Sequence, residues 1–232
     1  MKTAFLLKFY VVFSAIYVIL LFLNWESTAF PLKAFLIPAL IAAVYFHPDF
    51  TSKKYLLGAL IFSWIGDVVL MFQSVNPLFF IGGLSAFLIG HVIYIILFNK
   101  EKRQVLNKNS RFLRVGTLSI MVYLIVMLSL LLPHLGAMRL PVTVYALTIS
   151  VMLWTAVIGY TEWESPANAW IMTGAILFVL SDSILAFNKF YQPIWLASFF
   201  IMVTYLAAQY AIVVGVLKLP KYGEVRSIKP TT

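Results

Sequence analysis

Leu60-Ile-Phe-Ser-Trp-Ile-Gly-Asp67-Val-Val-Leu-Met-Phe72 has the composition of a bilayer-spanning helix with a carboxylate set inside it. A second stretch, Ala175-Ile-Leu-Phe-Val-Leu-Ser-Asp182-Ser-Ile-Leu-Ala-Phe187, repeats the pattern 115 residues further on. A carboxylate in hydrocarbon costs several kcal/mol, so such a residue normally faces a bundle interior and has a task there. Two of them in matching contexts point to a paired acidic site.

The rest of the chain agrees with a membrane setting. Of its 232 residues 62% are hydrophobic and 11% charged, against about 25% charged in soluble domains. Mean hydropathy is +0.97. With no cysteine, disulfides, thiolate metal sites and cysteine nucleophiles are excluded. The formal net charge of +9 is read as orienting loops and anionic-headgroup contacts, not as a nucleic-acid surface.

Hydropathy runs predict eight spans: Phe5–Leu23, Leu32–Phe46, Tyr55–Phe72, Phe79–Phe98, Phe112–Leu132, Val142–Tyr160, Ala169–Ala186 and Ile194–Leu217. The first is read as a retained helix, because Asn24-Trp-Glu-Ser follows it without a small-x-small cleavage site. The second, short and holding Lys33 and Pro38, is the weakest. The fold class is therefore all-α, a polytopic bundle of eight transmembrane helices forming a single transmembrane domain over 1–232.

Basic residues sort by loop. Fourteen of the 17 Lys and Arg fall at the N-terminal end, in the 2–3 and 4–5 loops and in the tail, leaving Lys33, Arg139 and Lys189 opposite. The positive-inside rule then puts both termini in the cytoplasm, with 221–232 as a cytoplasmic tail. Spans 3 and 7 run outward, so Asp67 and Asp182 lie nearly level in the outer half of the membrane, toward the side of Lys33, Tyr145 and Lys189. Gly66-Asp-x-x-Leu70 aligns with Ser181-Asp-x-x-Leu185, and Tyr94 and Tyr205 follow in the next spans. This predicts a parallel four-plus-four duplication with halves 1–110 and 111–220, which brings both aspartates to one interface. Compact size and a short 4–5 loop point to a bacterial inner (cytoplasmic) membrane.

In a shared low-dielectric cavity, mutual repulsion keeps one proton on a carboxyl pair near neutral pH. One acid and one carboxylate facing the same substrate can protonate one atom and activate water at another. Lys33 is suited to a phosphate or to biasing which aspartate stays ionised. Ser63, Gly66, Ser181 and Ser183 permit close approach of helices or ligand. His91, alone on an apolar helix, reads more readily as a hydrogen-bonded core residue than as a catalyst. There is no His-x-x-x-His, so no metal is expected, and no other cofactor.

These residues also carry a resemblance. Ser63-x-x-Gly-Asp-x-x-Leu-Met71, Phe87-x-x-Gly-His91, Gly174-Ala-x-Leu-Phe178 and Ser181-Asp-x-x-Leu-Ala186 are similar to the YhhN family of lysoplasmalogenase-like membrane proteins. Lys33, Tyr145 and Tyr205-x-x-x-Gln209 add to it, and the likeness runs from span 2 to span 8. It implies hydrolysis of the vinyl ether bond of 1-alkenyl lysophospholipids to a fatty aldehyde and glycerophosphoethanolamine or glycerophosphocholine. On that reading Asp67 and Asp182 are catalytic, in roles not distinguished. Lys33 meets the phosphate, Tyr145, Tyr205 and Gln209 are polar liners, and Ser63, His91 and Ser181 complete the substrate-binding set. The partners are then the lysophospholipid and membrane lipids, with oligomeric state left open.

Two rivals use the same aspartates. An intramembrane aspartyl protease needs Gly where Trp64 stands and Tyr where Ser181 stands. A proton-coupled transporter or lipid flippase would use the pair as a proton relay.

Overall fold

A computed structural model describes residues 2–101 and 109–220. Within them the chain forms eight long helices: α1 (Lys2–Phe22), α2 (Glu26–Tyr45), α3 (Lys53–Leu70), α4 (Pro77–Lys100), α5 (Ser110–Leu131), α6 (Arg139–Tyr160), α7 (Ala167–Phe190) and α8 (Ala197–Leu217). Two short 3-10 turns, Leu132–His134 and Gly136–Met138, join α5 to α6 where Pro133 ends the α-helical hydrogen bonding. Seven of the eight are long and apolar enough to cross a membrane. The eighth, α3, carries Lys53, Lys54 and Asp67 within its 18 residues. This is an integral membrane protein, all-helical among the described residues. The expected tail, 221–232, and the 4–5 loop residues Lys102, Arg103 and Lys108 lie outside the described residues.

The spans occur in the predicted order, with every start two to six residues from the predicted one, and two of the shifts have a clear local cause. Helix α2 begins at Glu26, before the predicted Leu32, because a helix needs hydrogen bonds and not hydropathy. Ala29 N–H already donates to Trp25 O at 3.0 Å, and Pro31 and Pro38 are both accommodated inside the helix. Helix α8 begins later than Ile194. Leu196 adopts a left-handed conformation (φ 53°), while Asn188 Oδ1 accepts from Ile194 N–H at 2.8 Å, so Ile194–Leu196 form a turn.

Consecutive helices run antiparallel, and named contacts fix which ends meet. At one end Lys2 lies over Phe46, Lys100 lies over Tyr55, Ser52 donates to Glu101, and Trp163 Nε1–H donates to Glu101 O at 2.9 Å. At the other, Phe22 meets Phe199, Phe30 meets Phe72, and Phe80 meets Phe190. Thus α1 starts and α8 finishes at the same end. The most extensive packing is α7 on α8, then α3 on α4, so each aspartate helix is braced by the helix after it. Helix α5 is peripheral and largely exposed, with a face such as Leu118, Val122 and Ile125 left to lipid.

Candidate functional site

Each aspartate is positioned by helix register and by a glycine or serine beside it. On α3, Gly66 lets α4 approach: a Cβ there would stand 2.6 Å from the Phe87 ring. The close crossing turns the neighbouring Asp67 into the bundle, where it is 3% exposed. On α7, Ser181 is buried and ties its hydroxyl to Ile201 O on α8 at 3.0 Å. Asp182 next to it is half-buried.

Both carboxyls line one cavity of about 290 Å³ between α1, α2, α3, α7 and α8, with Phe87 of α4 also in its wall. Lys33 stands in the same cavity, half-buried and without an ion-pair partner within salt-bridge distance among the described residues. The mouth is at the end of the bundle where α1 joins α2, marked by Glu26, Gln73 and Ser198. There Ser198 Oγ donates to Glu26 at 3.4 Å. The inner wall is apolar, with Tyr17, Leu70, Phe87 and Met202 among its residues. A polar mouth, two acids and a cation at depth, and apolar walls suit an amphiphile.

Behind the carboxyls lie two hydrogen-bond systems. Tyr205 O–H donates to Asp67 Oδ2 at 2.6 Å, Gln209 Nε2–H donates to the Tyr205 oxygen at 3.4 Å, and Tyr94 O–H donates to Gln209 Oε1 at 2.7 Å. Tyr145 O–H donates to Asp182 Oδ2 at 2.5 Å, and His91 Nε2 lies 3.0 Å from the Tyr145 oxygen and 3.3 Å from the same Asp182 oxygen. So Asp67 on α3 is met from α8 and shares its cavity with α2. Asp182 on α7 is met from α4 and α6.

Of the sequence-predicted residues, Asp67, Asp182, Lys33, Ser181 and Tyr205 line the cavity. Tyr145, His91 and Gln209 stand behind the carboxyls. Ser63 is buried in the α3–α4 crossing, its Oγ 3.4 Å from where a Gly90 Cβ would lie, and is not a cavity residue. Sequence reasoning missed Tyr17, Glu26 and Gln73. Glu26 alone offered a signal, as the acid heading the helix that carries Lys33.

Removing one donor tests this geometry without reference to activity. Tyr205→Phe leaves a buried carboxyl oxygen short of its partner, which costs about 1–3 kcal/mol. A lowered thermal midpoint in detergent is expected. A midpoint equal to that of the unaltered protein would contradict the 2.6 Å bond.

The model of the YhhN family matches residues 28–216, from the first turn of α2 to the last turn of α8. Human lysoplasmalogenase TMEM86B is 34% identical over 179 residues, covering 75% of this chain and 68% of that protein. The lysoplasmalogenase of Mycobacterium tuberculosis is 30% identical over 172 residues, covering 70% and 63%. Human lysoplasmalogenase TMEM86A is 30% identical over 197 residues, covering 80% and 76%. The chain therefore spans about two-thirds to three-quarters of the length of these relatives. No solved structure matches it. The matched region holds both aspartate helices, Lys33 and every residue that hydrogen-bonds to the two carboxyls, and on that match the chain belongs to the YhhN family.

Proposed function

We propose that this protein is a lysoplasmalogenase-like membrane hydrolase that cleaves the vinyl ether of 1-alkenyl lysophospholipids. The observation that carries the reading is the opening of Asp67 and Asp182, from separate helices, on one cavity that also holds Lys33. The names of the relatives point the same way.

The chemistry fits two carboxyls. One carboxylic acid gives its proton to the distal vinyl carbon, leaving an oxocarbenium ion at the carbon bonded to oxygen. The facing carboxylate stabilises that cation and takes a proton from the water that adds to it. The hemiacetal then collapses, its hydroxyl proton passing to the glycerol oxygen, which leaves as an alcohol. One water is consumed, a fatty aldehyde and a glycerophospho-base are released, and return of the proton from the second carboxyl to the first resets the pair. Lys33 holds the phosphate, and the alkenyl chain lies along the apolar wall.

The orientation belongs to the same proposal. The end of the bundle bearing Lys2, Lys53, Lys54 and Lys100 faces the cytoplasm, and the cavity opens on the opposite side. The crossed supply of partners, α8 to Asp67 and α4 to Asp182, is what a parallel duplication of α1–α4 as α5–α8 would produce.

The deciding experiment is aldehyde release by the purified protein from a vinyl-ether lysolipid, beside its acyl-ester analogue. Aldehyde from the vinyl ether with no hydrolysis of the ester is expected. No turnover by well-folded protein overturns the reading, and solute movement in proteoliposomes without product would replace it with transport. Lys33→Ala removes a uniform contact to the phosphate, so KM should rise roughly tenfold with kcat little changed. A change confined to kcat would place Lys33 at the carboxyl pair instead.

A further inference from the structure

We propose that His91 is a positioning residue for the Asp182 carboxylate, working as a neutral Nε2–H donor and not as a proton-exchanging acid or base. The inference rests on the hydrolase reading above and assigns the two aspartates their parts.

The tautomer follows from the hydrogen bonds. The Tyr145 hydroxyl proton is committed to Asp182 Oδ2 at 2.5 Å, so the phenol oxygen is free to accept. His91 Nε2, 3.0 Å from that oxygen and 3.3 Å from Asp182 Oδ2, faces two acceptors and must carry the hydrogen. Nδ1 is enclosed and has no partner among the described residues. A proton placed there would be a buried donor without an acceptor. The ring is 1% exposed and clamped edge-on by Phe178, whose centroid is 4.6 Å away, and by Tyr145 at 5.4 Å. It does not line the cavity and cannot touch substrate.

The consequence lies at Asp182. Both donors land on Oδ2, which fixes the plane of the carboxyl and leaves Oδ1 for the cavity. A carboxylate bound by two donors at one oxygen is set up to face a cation and to receive a proton from water at the other. Asp182 is then the carboxylate partner. Asp67, with Tyr205 as its one donor among the described residues, supplies the proton to carbon and recovers it from Asp182 after each turnover. Two acids in like helices are thus told apart by what stands behind them.

The test separates donor from proton carrier. In His91→Gln the side-chain amide presents an N–H near the place of Nε2 but cannot exchange a proton near neutral pH. In His91→Leu that donor is absent. The full-length protein should lose roughly 10- to 100-fold in kcat as His91→Leu, with KM nearly unchanged, and stay within about threefold as His91→Gln. A Gln variant as slow as the Leu variant overturns the proposal, because the imidazole would then be exchanging protons. A second measurement needs no substrate: 15N-histidine NMR of the unaltered protein. Of its three histidine signals, the one absent in His91→Gln is expected to show hydrogen on Nε2 and a bare Nδ1. Hydrogen on Nδ1 overturns the proposal. Absence of any aldehyde from the unaltered protein counts against the hydrolase reading alone, and the NMR tautomer still decides the role of His91.

Discussion

Asp67→Asn and Asp182→Asn should each reduce aldehyde release by roughly 10²- to 10⁴-fold, the usual worth of a positioned acid or base. Asparagine keeps the shape of the side chain and an oxygen that can accept from Tyr205 or from Tyr145, so the helices have no reason to move. On the proposed mechanism, what is lost is the proton at Asp67 and the negative charge at Asp182. Because protonation of carbon and capture by water are steps of one turnover, the two groups act as a unit. The double variant should therefore be no slower than the slower single one. Thermal midpoints of all three, taken beside the assay, separate lost chemistry from lost folding. Either single variant with full turnover and an unchanged midpoint sinks the two-carboxyl mechanism.

That pair was visible in the sequence because a membrane charges heavily for each ionisable group it contains. Asp67 and Asp182 stand out against runs such as Leu60-Ile-Phe and Val179-Leu180, and nothing subtle is needed to find them. The order of the eight helices is legible for the same reason. The start of α2 is not, since Glu26, Ser27, Thr28 and Pro31 depress hydropathy without preventing helical hydrogen bonding.

The partners of the aspartates are a different matter. Tyr205 is 138 positions from Asp67, and His91 is 91 from Asp182. Hydrophobic patterning along a chain carries no information about which of several buried tyrosines or histidines meets which acid. His91 illustrates this well. Its sequence context supports a core histidine, and in the fold it is indeed buried among aromatic rings, yet its Nε2 lies beside a cavity carboxylate. Gln73, and Glu26 apart from its place at the head of the Lys33 helix, were hidden in another way. Each sits at a helix end, where polar residues are ordinary, and only the convergence of three helix ends makes them the mouth of a cavity.

Gly174→Val should cost the protein its fold. Helices α7 and α8 make the most extensive contact in the bundle, and Gly174 is, with Gly215, a point where the backbone of one helix presses against that of the other. A Cβ at 174 would stand 2.9 Å from Ala208 O, 2.9 Å from Ile212 N and 2.6 Å from Ile212 Cγ1. Two of those three atoms are backbone, so no side-chain rotation relieves the overlap and the helices must part. Overpacking of this kind costs about 1–3 kcal/mol for small additions, and a branched side chain adds atoms on both sides of the clash. The damage reaches the site as well: Ala208 and Ile212 flank Gln209, one turn from Tyr205, while Asp182 lies two turns along α7 from Gly174. Parting the helices draws the Tyr205 hydroxyl away from Asp67 and frees Ser181 from Ile201 O. Gly58→Ala is the matched control, since a Cβ there meets only the Ile93 side chain at 3.6 Å, and alanine is the better helix former by roughly 0.5–1 kcal/mol. Gly174→Ala is expected to melt clearly below the unaltered protein, Gly174→Val to yield little folded material, and Gly58→Ala to melt at or above the unaltered midpoint. If Gly174→Val melts like Gly58→Ala, α7 and α8 do not approach as described, and the placement of Tyr205 against Asp67 falls with them.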